Sequence, residues 1–211
     1  TGGHTSTGWT CALSNYSTGN QAVQCSGYNG YGQLGRGVIG GSQSSFAPVS
    51  GLGPGDNVKI KDLVVSDSEY GTACVIMGGG VDTDGQVRCW GSDNNGALGK
   101  GNGAVSHSAY PAGVVGLEGQ NNLDKKAVSL VIGGAYSSQK TLCAVLESGK
   151  AKCWGYNGQG QLGAGGTDTT DRSAPVFVQA DDGQPLSNVR NLAIAHHHDQ
   201  SSVCAVLTTG K

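Results

Sequence analysis

The residues with the most chemistry in this 211-residue chain are its seven cysteines. They fall into two series. Cys25, Cys89 and Cys153 recur at a constant step, and each opens an eleven-residue motif that ends in Leu-Gly. Cys11, Cys74, Cys143 and Cys204 each open a short apolar run: Cys11-Ala12-Leu13, Cys74-Val75-Ile76, Cys143-Ala144-Val145-Leu146 and Cys204-Ala205-Val206-Leu207. Between Cys143 and Cys153 lies Glu147-Ser148-Gly149, a three-residue turn with glycine where a left-handed backbone is wanted. Folding the chain about Ser148 sets Cys143 opposite Cys153. Facing residues of an antiparallel ladder lie about 4.5–5.5 Å apart, which suits a disulfide. The other copies have longer tips, Ser14–Gln21 and Gly78–Gly85, and give the pairs Cys11–Cys25 and Cys74–Cys89. The alternatives are reduced, buried thiols packing as small hydrophobes, or zinc. Zinc wants closely spaced Cys pairs or nearby histidines, and the spacing offers neither.

Cys204 is left over. Thr208-Thr209-Gly210-Lys211 matches the hairpin tip Glu147-Ser148-Gly149-Lys150. The sequence is therefore expected to continue past Lys211 to a partner cysteine, with completion by another chain as the alternative.

Other chemistry-bearing residues are weaker candidates. His196-His197-His198 could hold a metal, but neighbours on a strand point to opposite faces, so an edge turn is the plainer reading. Asp82-Thr83-Asp84-Gly85 lacks the further ligand and late Glu of a calcium loop and reads as an Asp-Gly turn. Gly78-Gly79-Gly80 has no Gly-Lys-Ser/Thr after it and is not a phosphate loop. Asn15-Tyr16-Ser17 is a glycosylation sequon in an exposed hairpin tip. His4 and His107 have no evident partners, and no nucleophile–base set can be drawn. Trp90, Trp154, Tyr28 and Tyr156 follow cysteines and are read as packing between repeats. The sequence thus predicts no catalytic, metal or cofactor-binding residue.

The elements that position these residues are short strands. Glycine accounts for 38 residues, far above the usual share of about 7%, without the period of collagen. After each second cysteine comes Gly-x-x-x-x-Gly-x-Leu-Gly (Ser26 to Gly35 in the first copy opens on Ser-Gly), its lone Leu reading as a core plug. A polar loop then leads to a strand after proline: Pro48-Val49, Pro111 to Val115, and Pro175 to Val178. A further strand precedes each hairpin: Val58 to Val65, Ala127 to Ile132, and Val189 to Ala195. Four short strands at a fixed period indicate propeller blades or a comparable array. The repeat units are 1–57, 58–121, 122–185 and an incomplete 186–211, forming one partial propeller. A net charge of −2 without basic clusters argues against nucleic acid, and no apolar run is long enough for a transmembrane helix.

Trp154-Gly155-Tyr156-Asn157-Gly158-Gln159-Gly160-Gln161-Leu162-Gly163, with the Cys-Ala-Val-Leu strand before it, resembles the regulator of chromosome condensation repeat, and the resemblance extends over essentially the whole chain. It implies an all-β, β-propeller-type fold, with about three and a half four-stranded blades visible of a ring of about seven. The cysteine pairs are similar to those of an extracellular subset, in bacterial surface proteins and plant receptor ectodomains. Ser26 departs from the family's Trp, and the repeat is longer than usual, so its loops are enlarged. The family's nuclear member exchanges nucleotide on a small GTPase and binds chromatin; nothing here reproduces the loops and basic tail for that, and fold likeness does not carry function. The expectation is a secreted or cell-surface, non-enzymatic scaffold contacting protein partners or further copies of itself. It would serve adhesion or assembly, for example into a filament. The alternative is a soluble extracellular module such as a receptor ectodomain or an inhibitor.

Overall fold

The computed structural model describes residues 8–16, 19–80, 82–101, 106–119, 121–134, 138–197 and 200–208. Among the described residues thirteen strands follow one another: β1 (Trp9–Asn15), β2 (Gln21–Tyr28), β3 (Ser42–Pro48), β4 (Lys59–Val65), β5 (Thr72–Gly78), β6 (Val87–Gly91), β7 (Ser108–Gly113), β8 (Ala127–Gly133), β9 (Thr141–Leu146), β10 (Ala151–Gly155), β11 (Arg172–Phe177), β12 (Val189–His197) and β13 (Gln200–Leu207). Each pairs antiparallel with its sequence neighbour inside four separate sheets. β4-β5-β6-β7 and β8-β9-β10-β11 are four-stranded, β1-β2-β3 has three strands, and β12-β13 has two. This is the all-β, blade-type architecture that the repeats imply.

The sheets stack face to face, and the strand period of two decides which side chain meets which sheet. In β5, Ala73, Val75 and Met77 turn toward the first sheet, where they join Val23, Leu34, Val49 and Leu52. Cys74 and Ile76 turn the other way and meet Leu142, Ala144 and Leu146 of β9. β9 repeats the pattern, sending Cys143 and Val145 against Val189 and Leu192 of β12. Both strands are buried along their whole length. Strands covered on both faces read as continuous apolar runs rather than alternating ones, and the sequence at these strands has that form.

The prolines sit differently from the sequence expectation. The outer strands do not start after them: β3 ends on Pro48, and β7 and β11 run through Pro111 and Pro175. These are edge strands, and a register shift opposite Trp90 and Trp154 leaves Pro111 and Pro175 outside the paired positions. An edge or bulge is where a strand tolerates a residue without an N–H.

Candidate functional site

Three disulfides tie the hairpins at one register. Cys11 faces Cys25, Cys74 faces Cys89, and Cys143 faces Cys153, and in each bridge the Cα atoms lie 4.1 Å apart. Cys25, Cys74, Cys89, Cys143 and Cys153 are wholly buried. Cys204, at the equivalent place in β13, is a free, exposed thiol.

The loop after each second cysteine is built around one side chain. Asn29, Asp93 and Asn157 are buried, and their Oδ1 atoms accept the backbone N–H of Leu34, Leu98 and Leu162 at 3.0, 2.9 and 2.9 Å. That bond closes a tight loop and drives the leucine inward, where each is almost fully buried. Covering such a side chain is worth about 1.5–3 kcal/mol. The glycine two places after the cysteine is required by contact. Gly155 has φ +95°, and a Cβ there would lie 2.1 Å from the Lys140 carbonyl oxygen; glycine alone meets both demands.

On the loops at the junction of the first two sheets lies an aromatic group that no sequence signal marked. The Tyr31 ring stands 4.5 Å from Tyr70 and 5.0 Å edge-on from His107, with Tyr28 at 6.4 Å. A hydrogen bond to Tyr70, reinforced by burial, pushes the Tyr31 phenol up to about 12. His107, partnerless in the sequence, is held here: its Nδ1 accepts the Asp93 N–H at 3.2 Å. Burial lowers its pKa, against the pull of the Asp93 carboxylate.

Charged residues form a chain between the second and third sheets. Asp84 pairs with Lys61 at 2.7 Å and Lys126 at 3.0 Å, and Lys126 continues to Glu147 at 2.8 Å. The two ammonium groups hold the Asp84 carboxyl down to about 2. Asp84, half of the rejected calcium-loop motif, is therefore an inter-sheet anchor. Lys140 is 2% exposed and lines a cavity of about 200 Å³ with Val65, Ser66, Asp67, Ile132 and Gly133. Burial pushes its ammonium down to about 8, opposed by Asp67.

The remaining sequence candidates do not converge. Asn15 is exposed at the end of β1, its Oδ1 accepting from Gln21 Nε2 at 3.0 Å. Tyr16 is described and Ser17 is not. The backbone of β12 runs on through His196 and His197, paired with Ser201 and Gln200, so these two residues are strand rather than the expected turn. His198 and His4 lie outside the described residues. Among the described residues, no three His, Cys, Asp or Glu side chains gather as a metal site would need, and no helix is long and apolar enough to cross a membrane.

Residues 148–198 match the model of the regulator of chromosome condensation (RCC1) repeat. The ultraviolet-B receptor UVR8 of Arabidopsis thaliana is 31% identical over 132 residues, 63% of this chain and 25% of its own length. The human E3 ubiquitin-protein ligase HERC2 is 31% identical over 160 residues, 76% of this chain and 3% of its own length. The chain thus spans a quarter or less of these curated relatives. Among solved structures, Prp20p of Saccharomyces cerevisiae, described with its binding to Gsp1p and histones, superposes with a TM-score of 0.65 at 18% identity, covering 94% of this chain and 42% of that one. Yeast RCC1 (Prp20) in complex with Kap60 gives 0.66 at 18% identity, covering 96% and 41%. Sheet order and loop motif agree with these likenesses: the chain has the β-propeller fold of those structures, and residues 148–198 resemble a regulator of chromosome condensation repeat.

Proposed function

We propose that the chain is an extracellular, non-enzymatic propeller module that presents its loops to protein partners or to further copies of itself. The observation that carries the reading is the set of three disulfides at one register of successive sheets. Structural disulfides of this kind persist in oxidising compartments and are rare in the cytosol. Rigid sheets carrying polar loops are a usual frame for protein contact. Prp20 structures at this fold are described with protein partners, which supports a binding role without naming this chain's partner. The units 1–57, 58–121, 122–185 and 186–211 would each be a blade or part of one within a larger ring.

The test is to locate the natural protein and determine its thiol state. Recovery from the medium or a protease-accessible surface, with three bridges intact, supports the reading; a cytosolic protein with reduced cysteines sinks it. Light scattering of the same material divides the finer possibilities. Long polymers favour an assembling scaffold or filament, and a discrete particle favours a receptor ectodomain or inhibitor. Hydrolytic turnover by the purified chain would refute the non-enzymatic part.

A further inference from the structure

The first and second sheets meet through a tyrosine pair that the second and third sheets lack. Tyr31 lies on the loop after β2, and Tyr70 on the loop before β5. Their ring centroids are 4.5 Å apart, with the planes tilted by 32°. The corresponding places at the next junction, counted from Cys89 and Cys143, hold Asn95 and Gln139. Both tyrosines are thus present at one junction and both absent at the next. The three disulfides each lie within one sheet. Apart from the main chain, no covalent bond among the described residues joins one sheet to another.

Two devices hold the rings together. Gln33 is wholly buried; its Oε1 accepts the Tyr31 backbone N–H at 2.8 Å, and its Nε2 donates to the Glu69 carbonyl at 3.0 Å. One side chain thus clamps the backbone at Tyr31 and next to Tyr70. The phenols are themselves hydrogen-bonded. That bond favours the protonated form of Tyr31, so Tyr31 is its donor. The two hydroxyls, and the ring carbons next to them, are therefore neighbours. Tyr28 stands farther off, 6.4 Å from Tyr31 and nearly edge-on at 68°. Tyr31 and Tyr70 are only half-buried, so both can exchange electrons with an oxidant outside.

We propose that Tyr31 and Tyr70 form an oxidative cross-linking site, where a haem peroxidase with hydrogen peroxide joins the two rings as dityrosine and so ties the first sheet covalently to the second. Each phenol gives one hydrogen atom, an electron with its proton, to the oxidised peroxidase. In the two phenoxyl radicals the unpaired electron is shared with the carbons ortho to oxygen, and one such carbon from each ring forms the new C–C bond. The hydrogen on each bonded carbon then passes through solvent to its own ring's oxygen, which restores both phenols. Two hydrogen atoms leave the protein in all, and one peroxide becomes two waters. Holding both reactants side by side makes the coupling intramolecular, which favours this pair over the exposed Tyr110. Two six-membered rings joined by one C–C bond have centroids about as far apart as these, so the product needs the rings to turn and not the loops to move.

The test treats the dilute full chain with a haem peroxidase and hydrogen peroxide. The expected product is a monomer lighter by two hydrogen atoms, with dityrosine fluorescence and a digest fragment that joins Tyr31 to Tyr70. Its yield per chain holds constant on further dilution. Tyr31→Phe and Tyr70→Phe each abolish it, and Tyr28→Phe leaves it in place. Phenylalanine keeps the ring and leaves the Gln33 clamp untouched, so these variants test the hydroxyls and not the fold. The link closes a longer loop than any of the three disulfides, so the treated monomer unfolds at a higher urea concentration than the untreated one. Cross-links formed only between chains overturn the proposal. So does a link mapped to Tyr28 or Tyr110, a monomeric product that survives in Tyr31→Phe, or no product at all. The outcome does not depend on where the protein resides, so it stands or falls apart from the extracellular reading.

Discussion

The indole Nε1 of Trp90 donates a 2.9 Å hydrogen bond to the main-chain carbonyl of Gln33, 57 residues earlier and in the preceding sheet. Trp154 does the same to Ala97 at the same separation and distance. Both rings are wholly buried. Each bond fixes one sheet on the loop of the sheet before, at a carbonyl otherwise shut away from water. The tryptophan after the cysteine is therefore a rivet between blades rather than part of a ligand box.

Trp154→Ala is expected to destabilise the chain by about 3–5 kcal/mol, the range for emptying a buried aromatic site. Trp154→Phe keeps most of the packing but strands the Ala97 carbonyl, which costs about 1–3 kcal/mol. Urea titration of both variants checks the order. Equal loss in the two would mean that the hydrogen bond contributes everything and the ring volume nothing.

The disulfides close short loops, with separations of 14, 15 and 10 residues. In the chain-entropy model a loop of this size stabilises by about 3 kcal/mol. A double Cys143→Ala, Cys153→Ala variant is expected to lose about that much, measured by thermal or urea unfolding against the parent chain. Burial also separates the thiols kinetically. Alkylation of the native protein is expected to modify Cys204 at once, and Cys143 and Cys153 only after denaturant and reductant together. Intact mass reads both steps.

The fold was legible because its signals are local and repeated. The constant step of Cys25, Cys89 and Cys153 set the blade period, and Leu34, Leu98 and Leu162 announced core plugs that are buried. What stayed hidden joins residues far apart at a single junction. Tyr31, Tyr70 and His107 come from three loops, and Tyr31 has no aromatic counterpart in the other copies, where Asn95 and Gln159 stand. Lys140 was hidden for another reason: a lysine among polar neighbours reads as solvated, and only the neighbouring sheet buries it. The outer strands begin earlier than their prolines suggest, because an edge strand can run through a residue without an N–H.

Asp84 gives the electrostatics a signature in pH. Its carboxyl is held down to about 2 by Lys61 and Lys126, below the ordinary value near 4 that it regains on unfolding. A depressed carboxylate contributes stability that is complete above the unfolded value and is lost as pH falls through the folded one. Stability is therefore expected to decline between about pH 4 and pH 2, and Asp84→Asn is expected to flatten that part of the profile. The group is partly exposed, with 28% of its side chain accessible, so the loss near neutral pH stays within about 1 kcal/mol and shrinks in salt. Unfolding midpoints at several pH values, in low and high salt, check the sign and the size.

Asn15 gives a readout of the compartment itself. Its side chain is exposed at the end of β1, just before the hairpin tip, and its sequon is completed by Ser17. Because Asn15 is exposed, an oligosaccharide there would displace no buried side chain. Expression through a eukaryotic secretory route is expected to yield a heavier species that an amidase trims and that Asn15→Gln abolishes. The variant should unfold at the same urea concentration as the parent, because the hydrogen bond from Gln21 it disturbs lies on the surface, where such changes stay within about 0.5 kcal/mol. A single light species from that route, with the bridges formed, would mean that the tip is shielded by a neighbouring part of the protein or by a partner, and the exposed placement of Asn15 would then have to be revised.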